Sequence, residues 1–438
     1  MNLYQKINKQ KANIAIVGLG YVGLPLSYAF LSKGFKVIGI DVDKKKIQSL
    51  KRGKSYLSHI KNNQLSDLIK KKKFIPSLDF KLINSSDVII ICVPTPLNKF
   101  REPDLSIVLN SASRIKDHIK KDQLIILESS TYPGTTSEVL SFELEKSSLK
   151  ANKDFFIAYS PEREDPGNKY FNTTTIPKII GADKKKSRDL AVKLYSQIIS
   201  EIICVSSSKA AEATKLTENI FRCVNIALVN ELKTIYDAMG IDIWEVIDAA
   251  ATKPFGYMPF YPGPGLGGHC IPVDPFYLTY KAREYGVPTK FIELAGEINT
   301  SMPNFVVEKL ESNLSIELKK STNGAKILVV GMSYKKDIDD IRESPAIKII
   351  DILKSKNAKV NYHDNFVKQL PPINNFPSLK GMKSIPLTTK NIQSNDIILI
   401  LTNHSYIDFN EIGKHSKLII DTRNALENIN CKSKVIKA

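Results

Sequence analysis

The stretch Asn13 to Gly23, NIAIVGLGYVG, decides the fold. Asn13–Gly18 has the length and apolar content of a short buried strand. It runs directly into GLGYVG, Gly18 to Gly23, and the sequence then reads as a helix through Lys33, ended by Gly34. A second apolar strand, Lys36–Ile40, closes on Asp41. Strand, glycine turn, helix and acid-tipped strand together make a βαβ unit of the dinucleotide-binding type. Gly18 permits the tight turn, Gly20 lets the backbone approach a pyrophosphate, and Gly23 lets helix and strand pack closely. The helix start, entered through Tyr21 and Val22, offers N–H groups and a partial positive charge to phosphates. Asp41 is placed to accept hydrogen bonds from both hydroxyls of a ribose and would repel a 2′-phosphate. The expected cofactor is therefore NAD rather than NADP.

Working outward, further strand-like runs lie at Val88–Val93, Leu124–Glu128, Phe155–Ala158 and Ile179–Gly181, alternating with helical stretches. That alternation indicates a parallel sheet covered by helices. From Ser208 to Gly240 the pattern changes to three- and four-residue apolar spacing, with no proline and no glycine before Gly240. It reads as one long helix, with more helix at Ile243–Ala251 and Thr289–Asn299. A second βαβ pattern begins at Lys326. Strand Ile327–Gly331 leads to a helix over Pro345–Lys356, then to strands Lys359–Tyr362, Ile397–Leu401 and Leu418–Asp421. The expected fold is α/β, with two Rossmann-like doubly wound parallel-sheet domains joined by a long central helical region. Its expected divisions are 1–205, 206–318 and 319–438.

Bulk properties narrow the function classes. The 438 residues are 42% apolar and 25% charged, ordinary for a globular chain. No apolar run approaches the roughly 18 residues that a membrane span needs, and residues 1–13 are polar and basic, so a cytoplasmic location is the default expectation. The five cysteines, Cys92, Cys204, Cys223, Cys270 and Cys431, lie far apart without a CxxC pair, which argues against a disulfide framework and a metal site. The net charge of +18 is spread over dispersed lysines, with no aromatic-interleaved basic segment. This favours an anionic small substrate over nucleic acid.

YPGPGLGGHCIPVDP, Tyr261 to Pro275, carries the candidate chemistry. Its glycines and prolines shape the backbone for close approach to a ligand, and Cys270 in such a loop is a candidate nucleophile. A nearby cation would favour its thiolate. Asp274 follows four residues later. His269 is a weaker candidate for a base, because neighbouring residues often point in different directions. On the long helix, Lys215 and Asn219 share one face at i, i+4 spacing and could polarise a water or an alkoxide. Alone, they would read as a solvated face. SPER, Ser160 to Arg163, follows an apolar strand and puts Glu162 where open α/β sheets gather ligand chemistry.

Taken together, these motifs resemble the UDP-glucose/GDP-mannose dehydrogenase family over essentially the whole chain. The cradle segment and SPEREDPGN look most like its UDP-N-acetylglucosamine 6-dehydrogenase branch. The resemblance implies four-electron oxidation of a nucleotide sugar's C6 alcohol to a uronic acid, by way of a Cys270 thiohemiacetal and thioester. Such products are precursors of surface polysaccharide. It assigns Asp274 as partner carboxylate, Lys215 and Asn219 to a water and the oxyanion, and Glu162 to thioester hydrolysis. Thr131, in SSTYPG, falls near the nicotinamide, with Pro94 and Thr95 also on the cofactor side. Arg163, Tyr261, Gly263, Gly267, Lys335 and Arg423 fall on the substrate side, and Arg342 reaches towards NAD. It also implies a homodimer or larger homo-oligomer built on the long helix. Two features depart from the pattern: Pro166, after Glu164 and Asp165, stands where some relatives have a second glutamate, and only Lys253 stands where they supply a cross-subunit arginine. Two other readings stay open, a single-step hydroxyacid dehydrogenase and a non-catalytic NAD-sensing module.

Overall fold

The apolar runs flanking the glycine turn form strands β1 (Asn13–Val17) and β2 (Lys36–Ile40), paired in parallel with Val17 opposite Ile40. The computed structural model describes every residue except 58, 59, 61, 164–172, 269 and 374. His269 and residues 164–166 of the sequence reading thus lie outside the described residues. Six more strands follow: β3 (Phe74–Ser77), β4 (Val88–Ile91), β5 (Leu124–Leu127), β6 (Phe156–Tyr159), β7 (Lys178–Gly181) and β8 (Ile202–Val205). They complete an eight-stranded sheet in the order β3-β2-β1-β4-β5-β6-β7-β8. Both faces are covered, since Ile14 and Ile16 join one core while Ala15 and Val17 join the other. Burial on both faces is why the strands read as continuous apolar runs. Strand order reverses between β1 and β4, and ligands collect beyond the carboxyl ends of strands at such a switch point. Gly18, Pro94 and Thr95 stand there.

The sheet is parallel as expected over its first six strands, and its far edge adds a detail. β7 pairs antiparallel with β6, and β8 follows β7, so the last two strands run against the other six. A short apolar run has the same pattern in either direction, so its residues do not encode which way it points.

The second sheet is all parallel: β9 (Lys326–Val330), β10 (Lys359–His363), β11 (Ile397–Ile400), β12 (Leu418–Asp421) and β13 (Lys434–Lys437), in the order β10-β9-β11-β12-β13. It repeats the device of the first. Gly18 and Gly331 each follow the first strand of their sheet, at φ of +93° and +89°. A Cβ on either would meet a backbone oxygen, of Cys92 at 2.5 Å or of Thr402 at 2.6 Å. The N–H of the next residue, Leu19 or Met332, donates to the acid after the second strand, Asp41 at 2.8 Å or Asp364 at 2.7 Å. Only glycine adopts that backbone cheaply with no room for a side chain.

The helix Ser208–Met239 ends at Gly240, whose φ is +72°. The reading of a helix over Thr289–Asn299 was too short, since the observed helix runs Lys290–Leu318 with Pro303 inside it. Proline removes one ladder hydrogen bond. The packing of Val306, Val307, Leu310 and Leu314, none more than 2% exposed, outweighs that loss. Contacts divide the chain into two compact units, Met1–Glu218 with Phe276–Val287, and Asn219–Pro275 with Pro288–Ala438. No helix among the described residues is long and apolar enough to cross a membrane.

Candidate active site

In the first unit the glycine turn fits a dinucleotide. A Cβ on Gly23 would lie 1.8 Å from the Gly18 carbonyl oxygen, so helix and turn pack backbone to backbone. A Cβ on Gly20 would meet nothing within 4 Å, which leaves that position open for close approach. Gly20 and the half-exposed Tyr21 line a cavity of about 480 Å³ with Lys45, Lys46, Ser49, Tyr56 and Leu57. Val22 caps the helix Gly23–Ser32. The Asp41 carboxylate is 8% exposed: Oδ2 accepts from Leu19 N–H at 2.8 Å, Oδ1 from Asp43 N–H at 2.9 Å, and Lys46 Nζ stands 3.7 Å away. Burial, then Asp41 and Asp43, push the Tyr56 phenol up.

Pro94 is exposed beyond β4, and Thr95 is buried with its carbonyl accepting from the Tyr277 hydroxyl at 2.7 Å. Thr131 is fully buried, and its hydroxyl donates to Thr135 Oγ1 at 2.5 Å. Sequence reading missed what holds this turn. Glu212, on the long helix and fully buried, accepts from Gly134 N–H at 2.6 Å and from Thr136 N–H at 2.8 Å and hydroxyl at 2.7 Å. Burial pushes its carboxyl up to about 7 against those three bonds. Glu162 Oε1 accepts from Arg163 N–H at 2.7 Å, and its Oε2 lies 3.7 Å from Lys178 Nζ. The Arg163 guanidinium is engaged by Pro177 O and Glu218, both at 2.7 Å. Lys215 is 7% exposed and makes no ion pair or side-chain hydrogen bond among the described residues.

In the second unit, Cys270 is half-buried and its carbonyl accepts from the N–H groups of Val273 and Asp274. Cys270 and Asp274 therefore stand at either end of one tight main-chain turn, which opens the helix Asp274–Glu284. Asp274 is 1% exposed, and Asn219 Nδ2 donates to its Oδ2 at 2.5 Å. The structure thus joins Asn219 to Asp274, a partnership the spacing did not suggest. The cradle is as tight as its composition implied. A Cβ on Gly263 would lie 2.7 Å from Arg423 Nη1, and one on Gly267 only 2.3 Å from Tyr334 Cβ. A buried amide pair missed from sequence supports it. Asn230 Oδ1 accepts from Gly263 N–H at 3.0 Å while its Nδ2 donates to Asn299 Oδ1 at 2.8 Å.

Tyr261 stacks on Trp244 at 5.7 Å and donates to Asp248 at 2.7 Å. Arg423 is anchored by Leu401 O at 2.9 Å, and burial pulls its guanidinium down to about 10 against the pull of Asp421. Arg342 forks onto Asp340, with Nη2 at 2.6 Å and Nε at 3.0 Å from both oxygens. Lys335 is half-buried and its carbonyl accepts from the Ser333 hydroxyl at 2.9 Å. Behind it, buried His404 meets Asp364 Oδ2 at 3.1 Å. Burial works to raise the Asp364 carboxyl, but His404 and main-chain N–H groups hold it below the usual range.

Three family models of the UDP-glucose/GDP-mannose dehydrogenase family match the chain: the NAD binding domain at residues 12–199, the central domain at 209–301 and the UDP binding domain at 328–428. Protein CapL of Staphylococcus aureus is 36% identical over 397 residues, covering 90% of each chain. UDP-N-acetyl-D-glucosamine 6-dehydrogenase of Pseudomonas aeruginosa is 34% identical over 422 residues, covering 94% of this chain and 97% of that one. The solved UDP-D-ManNAc dehydrogenase of Pyrococcus horikoshii superposes with a TM-score of 0.85 at 32% identity, covering 97% and 99%. The chain therefore belongs to the UDP-glucose/GDP-mannose dehydrogenase family, as an NAD-dependent oxidoreductase of UDP-sugars.

Proposed function

We propose that this protein oxidises the C6 primary alcohol of a UDP-linked N-acetylhexosamine to the carboxylate, with Cys270 carrying the sugar between two oxidations. The observation that carries this reading is the half-buried Cys270 joined through its main-chain turn to Asp274, whose carboxylate the Asn219 amide holds at 2.5 Å. A one-step hydroxyacid dehydrogenase has no use for that thiol, and an NAD sensor has none for the set.

Bound NAD accepts a hydride in each oxidation. Lys215 and Asp274 hold the water that takes the alcohol proton. The Cys270 thiolate bonds to the aldehyde carbon, and the Lys215 ammonium and Asn219 amide stabilise the charge on oxygen. Loss of the second hydride leaves a thioester. Water, losing its proton to Glu162, breaks the C–S bond and frees the acid and the thiolate. Thr131, steadied by Thr135, stands on the nicotinamide side with Pro94 and Thr95. Lys335, Arg423, Tyr261 and the cradle at Gly263 and Gly267 bind substrate, with Arg163 behind Glu162 and Arg342 towards NAD. The three-part division at 205 and 318 is proposed on the same footing.

UDP-N-acetylglucosamine is the proposed sugar, supported by the likeness of SPER and the cradle to that branch. The manno epimer is the second reading, favoured by the likeness to the Pyrococcus horikoshii structure. NADH yield and product mass across a panel of UDP-sugars test both. Two NADH per acid from the gluco epimer is expected. One NADH with a stable carbonyl product would overturn the covalent route.

Cofactor choice has its own test. Asp41→Asn keeps an oxygen for Leu19 N–H but removes the charge and leaves Lys46 free to pair with a 2′-phosphate. The Kd ratio should move towards NADP by about tenfold or more, roughly 1.4 kcal/mol. An unchanged ratio in paired fluorescence titrations would take Asp41 out of the ribose role.

A homodimer through the long helix is also proposed. Phe221, Leu228 and Ile235 fall at heptad spacing and are 48%, 50% and 46% exposed, with Met239 beyond them at 64%. Such a stripe is large for a surface left in water. Leu228→Glu should shift the chain to monomer in sedimentation without loss of helix signal, and a wild-type chain already monomeric at micromolar concentration would refute the dimer.

A further inference from the structure

Glu162 is tied to a buried charge cluster that the reaction as described does not use. Lys178 opens β7, is 5% exposed, and places Nζ 2.9 Å from Glu128 Oε2 as well as 3.7 Å from Glu162 Oε2. Glu128 directly follows β5 and is 1% exposed, and its Oε1 accepts from the buried Tyr195 hydroxyl. The Tyr195 ring lies 5.2 Å from the same ammonium. Buried ion pairs of this kind are often no more stabilising than an apolar pair of equal volume. Folding alone therefore gives little reason for Glu128 and Lys178. What distinguishes the cluster is its third carboxylate. The Glu162 side chain is 16% exposed against 0% for Glu128, so the ammonium links a fixed anion inside to one at the rim. Both Glu162 oxygens are then held, Oε1 by the Arg163 N–H and Oε2 by Lys178. Burial pulls the Lys178 ammonium down, but Glu128 and Glu162 outweigh it and hold it above the usual lysine range.

We propose that Lys178, anchored by Glu128 and Tyr195, is a positioning residue for the hydrolytic half of the reaction. Its ammonium fixes the Glu162 carboxylate in the orientation from which it takes the proton of the attacking water. The water oxygen bonds to the thioester carbon, the proton passes to Glu162, and the C–S bond breaks with its electron pair leaving on sulfur. No oxidant is consumed. The inference rests on the reading of Glu162 as the hydrolytic base.

Lys178→Met is expected to lower steady-state NADH production by roughly 10²-fold, the lower range for a general base, with little change in KM for the UDP-sugar. Intact-protein mass spectrometry should show the Cys270 acyl adduct accumulating. Hydroxylamine added to the desalted adduct needs no general base and should release it, which identifies the accumulated species as a thioester, while the thermal melt shows that the site is folded. The Met variant leaves Glu128 buried without a counter-charge, so the Glu128→Gln/Lys178→Met double variant, checked by thermal melt, is measured beside it. Glu162→Gln is the reference. If Glu162→Gln accumulates adduct and the folded double variant does not, the role of Lys178 is wrong while that of Glu162 stands. If neither accumulates adduct, the reading of Glu162 fails and this one with it.

Discussion

Cys270→Ser should bind NAD and the UDP-sugar as wild type does and yet form almost no uronic acid. Serine is nearly isosteric, and the turn that presents residue 270 is made by its carbonyl with Val273 and Asp274 N–H groups, which the exchange leaves in place. The chemistry is what changes. A free thiol ionises near a pKa of roughly 8.5, whereas an alkyl hydroxyl does so far higher, so the attacking anion is nearly absent. An oxygen ester would also part with its alkoxide less readily than a thioester with its thiolate. Together these should lower acid formation roughly 10³-fold or more. Wild type quenched in turnover should carry a sugar-sized adduct on Cys270, and the variant none. A serine enzyme that released acid at the wild-type rate with two NADH would show the covalent route to be wrong.

How much of this was legible in the residues depends on how local each signal is. Asn13 to Asp41 was readable because a glycine turn needs particular residues at particular positions, and Gly18 and Gly23 leave no room for a Cβ. Gly331, Met332 and Asp364 repeat the device without the full glycine pattern, so the second unit was legible from its strand and helix alternation, and the hydrogen bond at 2.7 Å adds the shared turn. The cradle was legible for a related reason, since Gly263 and Gly267 face Arg423 and Tyr334 at distances a side chain would close. Strand direction was not, because the side chains of Ile179–Gly181 read the same whichever way the strand runs. The end of the helical region at 318 was legible, but the single run from Lys290 through Pro303 to Leu318 was not, because core packing rather than local pattern carries it past the proline. Glu128, Lys178, Asn230 and Asn299 were missed because each is an ordinary turn or helix residue until its partner, distant in sequence, is folded against it. Glu128 carried the same sign as Glu162, an acid at a strand's carboxyl end, and that sign was there to be used.

Lys215→Ala is expected to be at least as stable as wild type and 10²–10³-fold slower. The two halves of that statement have one cause. The side chain is 7% exposed and has neither an ion pair nor a hydrogen bond among the described residues. With no ion pair or hydrogen bond among the described residues to lose, removal of the ammonium should not lower Tm. In the proposed reaction the ammonium meets its counter-charge only when oxygen at C6 becomes anionic, so its interaction belongs to the transition state rather than to the bound sugar. Loss of one such contact is worth about 3–4 kcal/mol, read in kcat with KM nearly unchanged. A thermal melt and a kcat/KM split on the same preparation test both halves. A lower Tm with kcat intact would make Lys215 a structural lysine and move the stabilisation of the oxyanion to Asn219 alone.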